Sequence, residues 1–324
     1  VNHPRSRPAR AALGISALGL GLFLVAGQDA GSFAQARLEQ QRPALTFKTQ
    51  VDLVPVTAVV RDGKGRIVRN LSRGDFQVLE QGKPREIVDF LVSDQGPVSL
   101  AVLFDTSGSM TGANLAGGQQ AVGQVLSWLD PAADEVALFT FDRQIREEVP
   151  FTHDASRVQS AVGHLRGRGQ TSLYDAIAST ATTLSKRPSA RRAVIVITDG
   201  VDNSSAMTPA DVSGLASRID VPIYVMAVVS PLDHPGSEMA VAGAERSPAS
   251  TDLASLASWT GGSLTIVSAP AHASLAAREL IADLRHQYVL AFESASTPGW
   301  HALDIKIPSR DLKVRARTGY WGKG

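Results

Sequence analysis

The chain has 324 residues, 44% of them hydrophobic and 19% charged, which excludes a disordered tail, a collagen and a coiled coil and leaves apolar side chain for about two globular domains. Lys and Arg number 32 against 31 Asp and Glu, so no basic surplus exists to hold nucleic acid by counterion release. Cysteine is absent, which removes thiol nucleophiles, Cys-ligated zinc, iron–sulfur clusters and disulfide staples together.

Residues 1–36 are predicted to be an export signal. Arg5, Arg7 and Arg10 form a basic start, Ala11 to Gly27 is an uncharged apolar run, and Ala34-Gln35-Ala36 puts small residues where a signal peptidase cuts. Left uncleaved, the same run approaches the roughly 17-residue lower limit of a spanning helix and would anchor the chain to a membrane. Either outcome puts the body outside the cytoplasm, periplasmic or secreted.

Beyond the signal, Val51 to Val60 is an extended β-branched segment, and the turn residues Asp62 to Gly65 make it the start of a hairpin. Asp75 to Glu80 and Glu86 to Val92 alternate with period two around a turn at Gln81 to Pro84. At the far end, Tyr288 to Phe292, Ala302 to Ile307 and Leu312 to Arg317 are three more short strands. The two terminal sets together give about six strands, close to a small immunoglobulin-like count. They predict one discontinuous β-sandwich domain, smaller than the rest, from residues 37–96 and 287–324.

Residues 97–286 have a different rhythm. Val98 to Phe104, Val136 to Phe141, Ala193 to Ile197 and Ile223 to Val229 are continuous apolar runs, the pattern of strands buried on both faces of a parallel sheet. Helical segments lie between and after them: Leu115 to Leu129, Ser156 to Leu165, Leu173 to Leu184, Asp211 to Ile219, Thr251 to Trp259 and Ala271 to His286. This alternation predicts a doubly wound, mostly parallel α/β domain with its ligand site beyond the carboxyl ends of the strands.

Three polar clusters fall at those ends. Val98 to Phe104 runs into Asp105-Thr106-Ser107-Gly108-Ser109, Ala193 to Ile197 runs into Thr198-Asp199-Gly200, and Gly169-Gln170-Thr171 opens a helix. Two carboxylates and three hydroxyls, without imidazole or thiolate, suit a hard divalent ion such as Mg²⁺ or Mn²⁺ rather than zinc. Alternate positions of Asp105-x-Ser107-x-Ser109 can face one point if Gly108 lets the strand turn sharply.

Asp105-x-Ser107-x-Ser109, then Thr171, then Asp199 resembles the metal-ion-dependent adhesion site of von Willebrand factor type A domains, in order and in placement. The resemblance covers residues 97–286. It implies that Ser107 and Ser109 coordinate the ion directly, that Thr171 does so directly or through water, and that Asp105 and Asp199 act through water or hydrogen bonds. The flanking β segments, with Tyr288 to Phe292 and Val314 to Trp321, resemble the von Willebrand-related proteins of acidobacteria. The implied function is adhesion-type protein binding. An ion touched by few carboxylates keeps positive charge, and its open position attracts an exposed Asp or Glu of a partner protein.

Catalysis is not expected. A haloacid-dehalogenase-like phosphatase needs a second Asp where Ser107 stands, and neither Ser107 nor Ser109 lies in a Gly-x-Ser-x-Gly elbow. The seven His show no His-Glu-x-x-His spacing, and Gly167-Arg168-Gly169 has no Walker lysine. A metal-dependent phosphohydrolase and a scaffold subunit of an envelope complex are the alternative functions. Asp202 and Asn203 read as a helix-entry loop capped by Thr208 ahead of Pro209, with a second cation site as the alternative. Lys313, Arg315 and Arg317 read as a solvated strand face. The loop Ser230 to Ser250 starts on the same face as the metal, and Asp233 or Glu238 could fill the ion's open position as a lid.

Overall fold

The computed structural model describes residues 53–189, 191–200, 202–229, 248–294, 297–308 and 311–322. The signal segment 1–36 and the proposed lid residues Asp233 and Glu238 lie outside them. In chain order the first elements are β1 (Leu53–Arg61), β2 (Gln77–Glu80), β3 (Lys83–Arg85), β4 (Ile87–Asp94), β5 (Val98–Asp105), α1 (Gly112–Leu126), β6 (Glu135–Phe141) and β7 (Ile145–Thr152). Then come α2 (Ala155–Gly163), α3 (Leu173–Ser185), β8 (Arg191–Thr198), α4 (Pro209–Ile219), β9 (Ile223–Val228), α5 (Pro248–Trp259) and β10 (Leu264–Val267). The chain closes with α6 (Pro270–Arg285), β11 (His286–Glu293), β12 (Gly299–Lys306), β13 (Lys313–Ala316) and β14 (Gly319–Gly322).

A six-stranded sheet of order β10-β9-β8-β5-β6-β7 forms the centre, parallel except at the β6–β7 edge. This is the expected doubly wound α/β fold. Every residue of β5 is buried. Leu100, Val102 and Phe104 point to the side covered by α1, α2 and α6, where Val122, Val125, Val158 and Leu280 wait. Ala101 and Leu103 point to the side of α3, α4 and α5, with Ile177, Val212 and Leu256. Each fully buried side chain of this size contributes about 1.5–3 kcal/mol relative to exposure, so an all-apolar strand is stable only where both faces are covered. Sequence order reverses at β5, which has β6 on one side and β8 on the other, and this opens a crevice at the carboxyl ends.

The N- and C-terminal parts interleave in two further antiparallel sheets, β13-β1-β11-β4 and β14-β12-β2-β3. Val56, Val60, Phe76, Val78, Leu290, Phe292 and Leu303 share their core. The expected hairpin at Asp62 to Gly65 shrinks to a single bridge, Arg61 with Ile67. The reason is local: Leu71 is buried, and Tyr288 Oη accepts from Leu71 N–H (3.3 Å) and donates to the Val68 carbonyl (2.8 Å), drawing the chain off the strand path. β1 pairs instead with β11 and β13. The turn predicted at Gln81 to Pro84 is tighter, because Gln81 and Gly82 both take positive φ (49° and 77°), the geometry of a two-residue hairpin, and Lys83–Arg85 is already strand.

Candidate metal centre

β5 ends on Asp105, a fully buried carboxylate. Its Oδ1 accepts from the Ser107 backbone N–H (2.8 Å) and its Oδ2 from the hydroxyl of Thr198 (2.6 Å), the last residue of the neighbouring strand β8. Burial pushes the Asp105 carboxyl up to about 6; the bonds from Thr198 and Ser107 oppose that shift, and the Asp199 charge adds to it. Thr106 leaves the sheet by donating both its N–H (2.8 Å) and its hydroxyl (2.9 Å) to the Phe141 carbonyl at the end of β6. Ser107 Oγ then lies 3.1 Å from Ser109 Oγ, with Ser107 buried and Ser109 exposed.

The segment before α3 lies against this turn. Gly108 N–H donates to the Gly169 carbonyl (3.0 Å) and Arg168 N–H to the Thr106 carbonyl (2.7 Å). A Cβ on Gly167 would stand 2.1 Å from the Met110 carbonyl oxygen and 2.7 Å from that of Ser107, so this approach demands glycine. Thr171, buried, donates its N–H to Asn203 Oδ1 (3.0 Å), and its carbonyl accepts from Asn203 and Ser204 N–H (3.1 Å each).

Helix α3 has no cap from its own Ser172. Its first N–H groups are satisfied from the loop after β8: Leu173 by Asp202 Oδ1 (2.8 Å), Tyr174 and Asp175 by Ser205 Oγ (3.0 and 3.3 Å). Asp202 and Asn203 therefore spend these side-chain oxygens on backbone N–H groups. Thr208 caps α4, with Pro209 as its first residue, as the sequence predicts. Asp199 follows β8 directly, and its Oδ1 is buried with no hydrogen-bond partner.

Of the five predicted residues, Asp105, Ser107 and Ser109 thus form one hydrogen-bonded turn. The segment carrying Thr171 is tied to that turn through its backbone, and Asp199 adjoins Asp105 through Thr198. Among the described residues no hydrogen bond joins the Thr171 hydroxyl or the Asp199 carboxylate to the two serines. Thr198 and Asn203, outside the five-residue motif, also position the site, and Thr198 stands where an apolar run turns polar. Among the described residues no three His, Asp or Glu gather. The donor set of two carboxylates and three hydroxyls still fits a hard divalent ion, and the orphaned Asp199 oxygen is an atom such an ion would satisfy.

The model of the von Willebrand factor type A domain family matches residues 99–260. No curated protein matches the chain. Among solved structures, BatB from Bacteroides thetaiotaomicron is 17% identical, covers 57% of this chain and 98% of its own, and has a TM-score of 0.46. A von Willebrand factor type A protein from Catenulispora acidiphila is 14% identical, with 86% and 76% coverage and a TM-score of 0.48. The von Willebrand factor domain of the type V pili tip protein from Porphyromonas gingivalis is 19% identical, with 35% and 41% coverage and a TM-score of 0.31.

Proposed function

Since the chain belongs to the von Willebrand factor type A domain family, we propose that it is an exported binding module that captures an acidic group of a partner protein through a divalent metal, Mg²⁺ or Mn²⁺. Asp105, Ser107, Ser109, Thr171 and Asp199 would hold the ion as a metal-ion-dependent adhesion site. When bound, the ion supplies a positive position to which a partner's Asp or Glu carboxylate can bind. The chain's own residues prepare the pocket. Thr198 and the Ser107 N–H fix both oxygens of Asp105, Gly167 lets the two loops meet, and Asn203 holds the Thr171 backbone in place.

The observation that carries this reading is the Asp199 Oδ1, buried and unpartnered next to Thr198, whose hydroxyl holds the buried Asp105 carboxylate. A buried carboxylate oxygen that accepts no hydrogen bond is costly. The test is Mg²⁺-dependent stability. At a hundredfold excess over its dissociation constant, Mg²⁺ should stabilise the fold by about 2.7 kcal/mol, read as a raised melting temperature that chelator reverses. Asp199→Ala should stay folded, since its Oδ1 has no partner to lose, and should give no metal shift. Immobilised acidic peptide should retain the parent only with metal present. An equal shift in parent and variant would reject the assignment, and phosphate release from an aryl phosphate would favour the phosphohydrolase instead.

A further inference from the structure

At the opposite end of the central sheet, where β8 and β9 begin, a cleft of about 470 Å³, its open mouth included, lies against the terminal sheet that holds β1 and β13. Arg192, Arg315 and Arg317 line it with Thr57, Tyr224 and Asp220. Asp220 is the only acid among the described residues that line it, is 44% exposed, and lies 3.8 Å from Arg317 Nη1. Arg315 pairs with Asp283, which also serves Arg61. Arg192 Nη1 donates to the carbonyls of Ser185 (2.7 Å) and Arg187 (3.3 Å); Arg317 donates to those of Ser217 and Pro55 (2.5 Å each).

Carbonyls satisfy donors without cancelling charge. The three lining arginines, with Arg61 on the far side of Asp283, are answered by two carboxylates, Asp220 and Asp283, which leaves a surplus of two positive charges. Arg317 is 8% exposed, and the Nε atoms of Arg192, Arg315 and Arg317 are buried with no hydrogen-bond partner. Burial pulls the Arg317 guanidinium below arginine's ordinary value, with Asp220 and Tyr320 opposing it. Forked guanidiniums with free N–H groups match the oxygens of a tetrahedral anion. The cleft has room for one such anion.

We propose that this cleft binds one small oxyanion of the phosphate or sulfate class, held by Arg192, Arg315 and Arg317 and independent of the metal centre. Inorganic phosphate titrated calorimetrically into the full chain, in chelator and at constant ionic strength, should bind one equivalent, and sulfate should compete. The chelator separates this result from the fate of the metal reading. Arg192→Gln should weaken phosphate binding about tenfold or more, while Arg157→Gln on the exposed face of α2 should not change it. Because Arg192 also holds carbonyls at the end of α3, a second variant guards against misfolding: Thr57→Glu puts a carboxylate into the cleft and should abolish phosphate binding while raising the melting temperature. No binding to the parent, or the parent's affinity retained in both cleft variants, overturns the proposal.

Discussion

Asp105 and Glu80 are equally buried, at 0% and 1% exposure, and their surroundings push them in opposite directions. Asp105 accepts from neutral donors and faces another acid, so burial prevails and its carboxyl rises to about 6. Glu80 lies between the terminal sheets' polar side chains. Burial would raise it too, yet hydrogen bonds from Tyr320 and Arg85 and the charges of Arg85 and His301 together hold it below 4.5. A folded-state value below the unfolded one means that the ionised form stabilises the fold. That contribution is complete above the unfolded value near 4.5 and disappears as pH falls through the lower folded value. Glu80→Gln should therefore be less stable than the parent at neutral pH, with the gap closing in acid once Glu80 is protonated. Urea denaturation across pH measures it, and a gap independent of pH would mean that Glu80 acts by shape alone.

At the level of elements, the parallel strands could be read in the sequence because burial on both faces leaves an unbroken apolar run, as in β5 and β8. The edge strands β3, β7, β10 and β14 were not legible. β7 carries Arg146, Glu147, Glu148 and Pro150 because one side of it faces water, and β3, β10 and β14 have three or four residues, too few to show a period. The candidate-site residues were legible as a motif, whereas the groups that support their backbone were not: Asn203 and Asp202 reach Thr171 and Leu173 from about thirty positions away, a distance no local pattern encodes. This support yields a test. Asp202→Ala leaves the Leu173 N–H without its acceptor at a helix start, which should cost about 1–2 kcal/mol by chemical denaturation. The same change loosens the loop that fixes Thr171, so Mg²⁺ affinity should fall with it. A stability loss without any change in Mg²⁺ response would separate the α3 cap from the proposed metal site.

For the whole molecule, the central question is how the α/β unit and the terminal sheets are joined. α6 runs into β11 with no intervening residue, and β11 is paired on both sides, by β1 and β4. Near the end of α6, Asp283 is 1% exposed and pairs with Arg61 of β1 at 2.6 Å and with Arg315 of β13. One buried carboxylate thus answers two cations from the terminal sheets, and removing its charge leaves both half-buried guanidiniums unneutralised. Asp283→Asn should destabilise by about 3–5 kcal/mol, the range for breaking a buried pair, whereas Arg61→Gln should cost less because Asp283 keeps Arg315. In calorimetry the parent should unfold in one transition, since both parts share the α6–β11 segment and its ion pairs. In Asp283→Asn the covalent connection remains and the electrostatic one does not, so the transition should broaden or divide as the terminal sheets unfold first. A single transition at the parent's temperature would mean that packing around β11 alone couples the two parts.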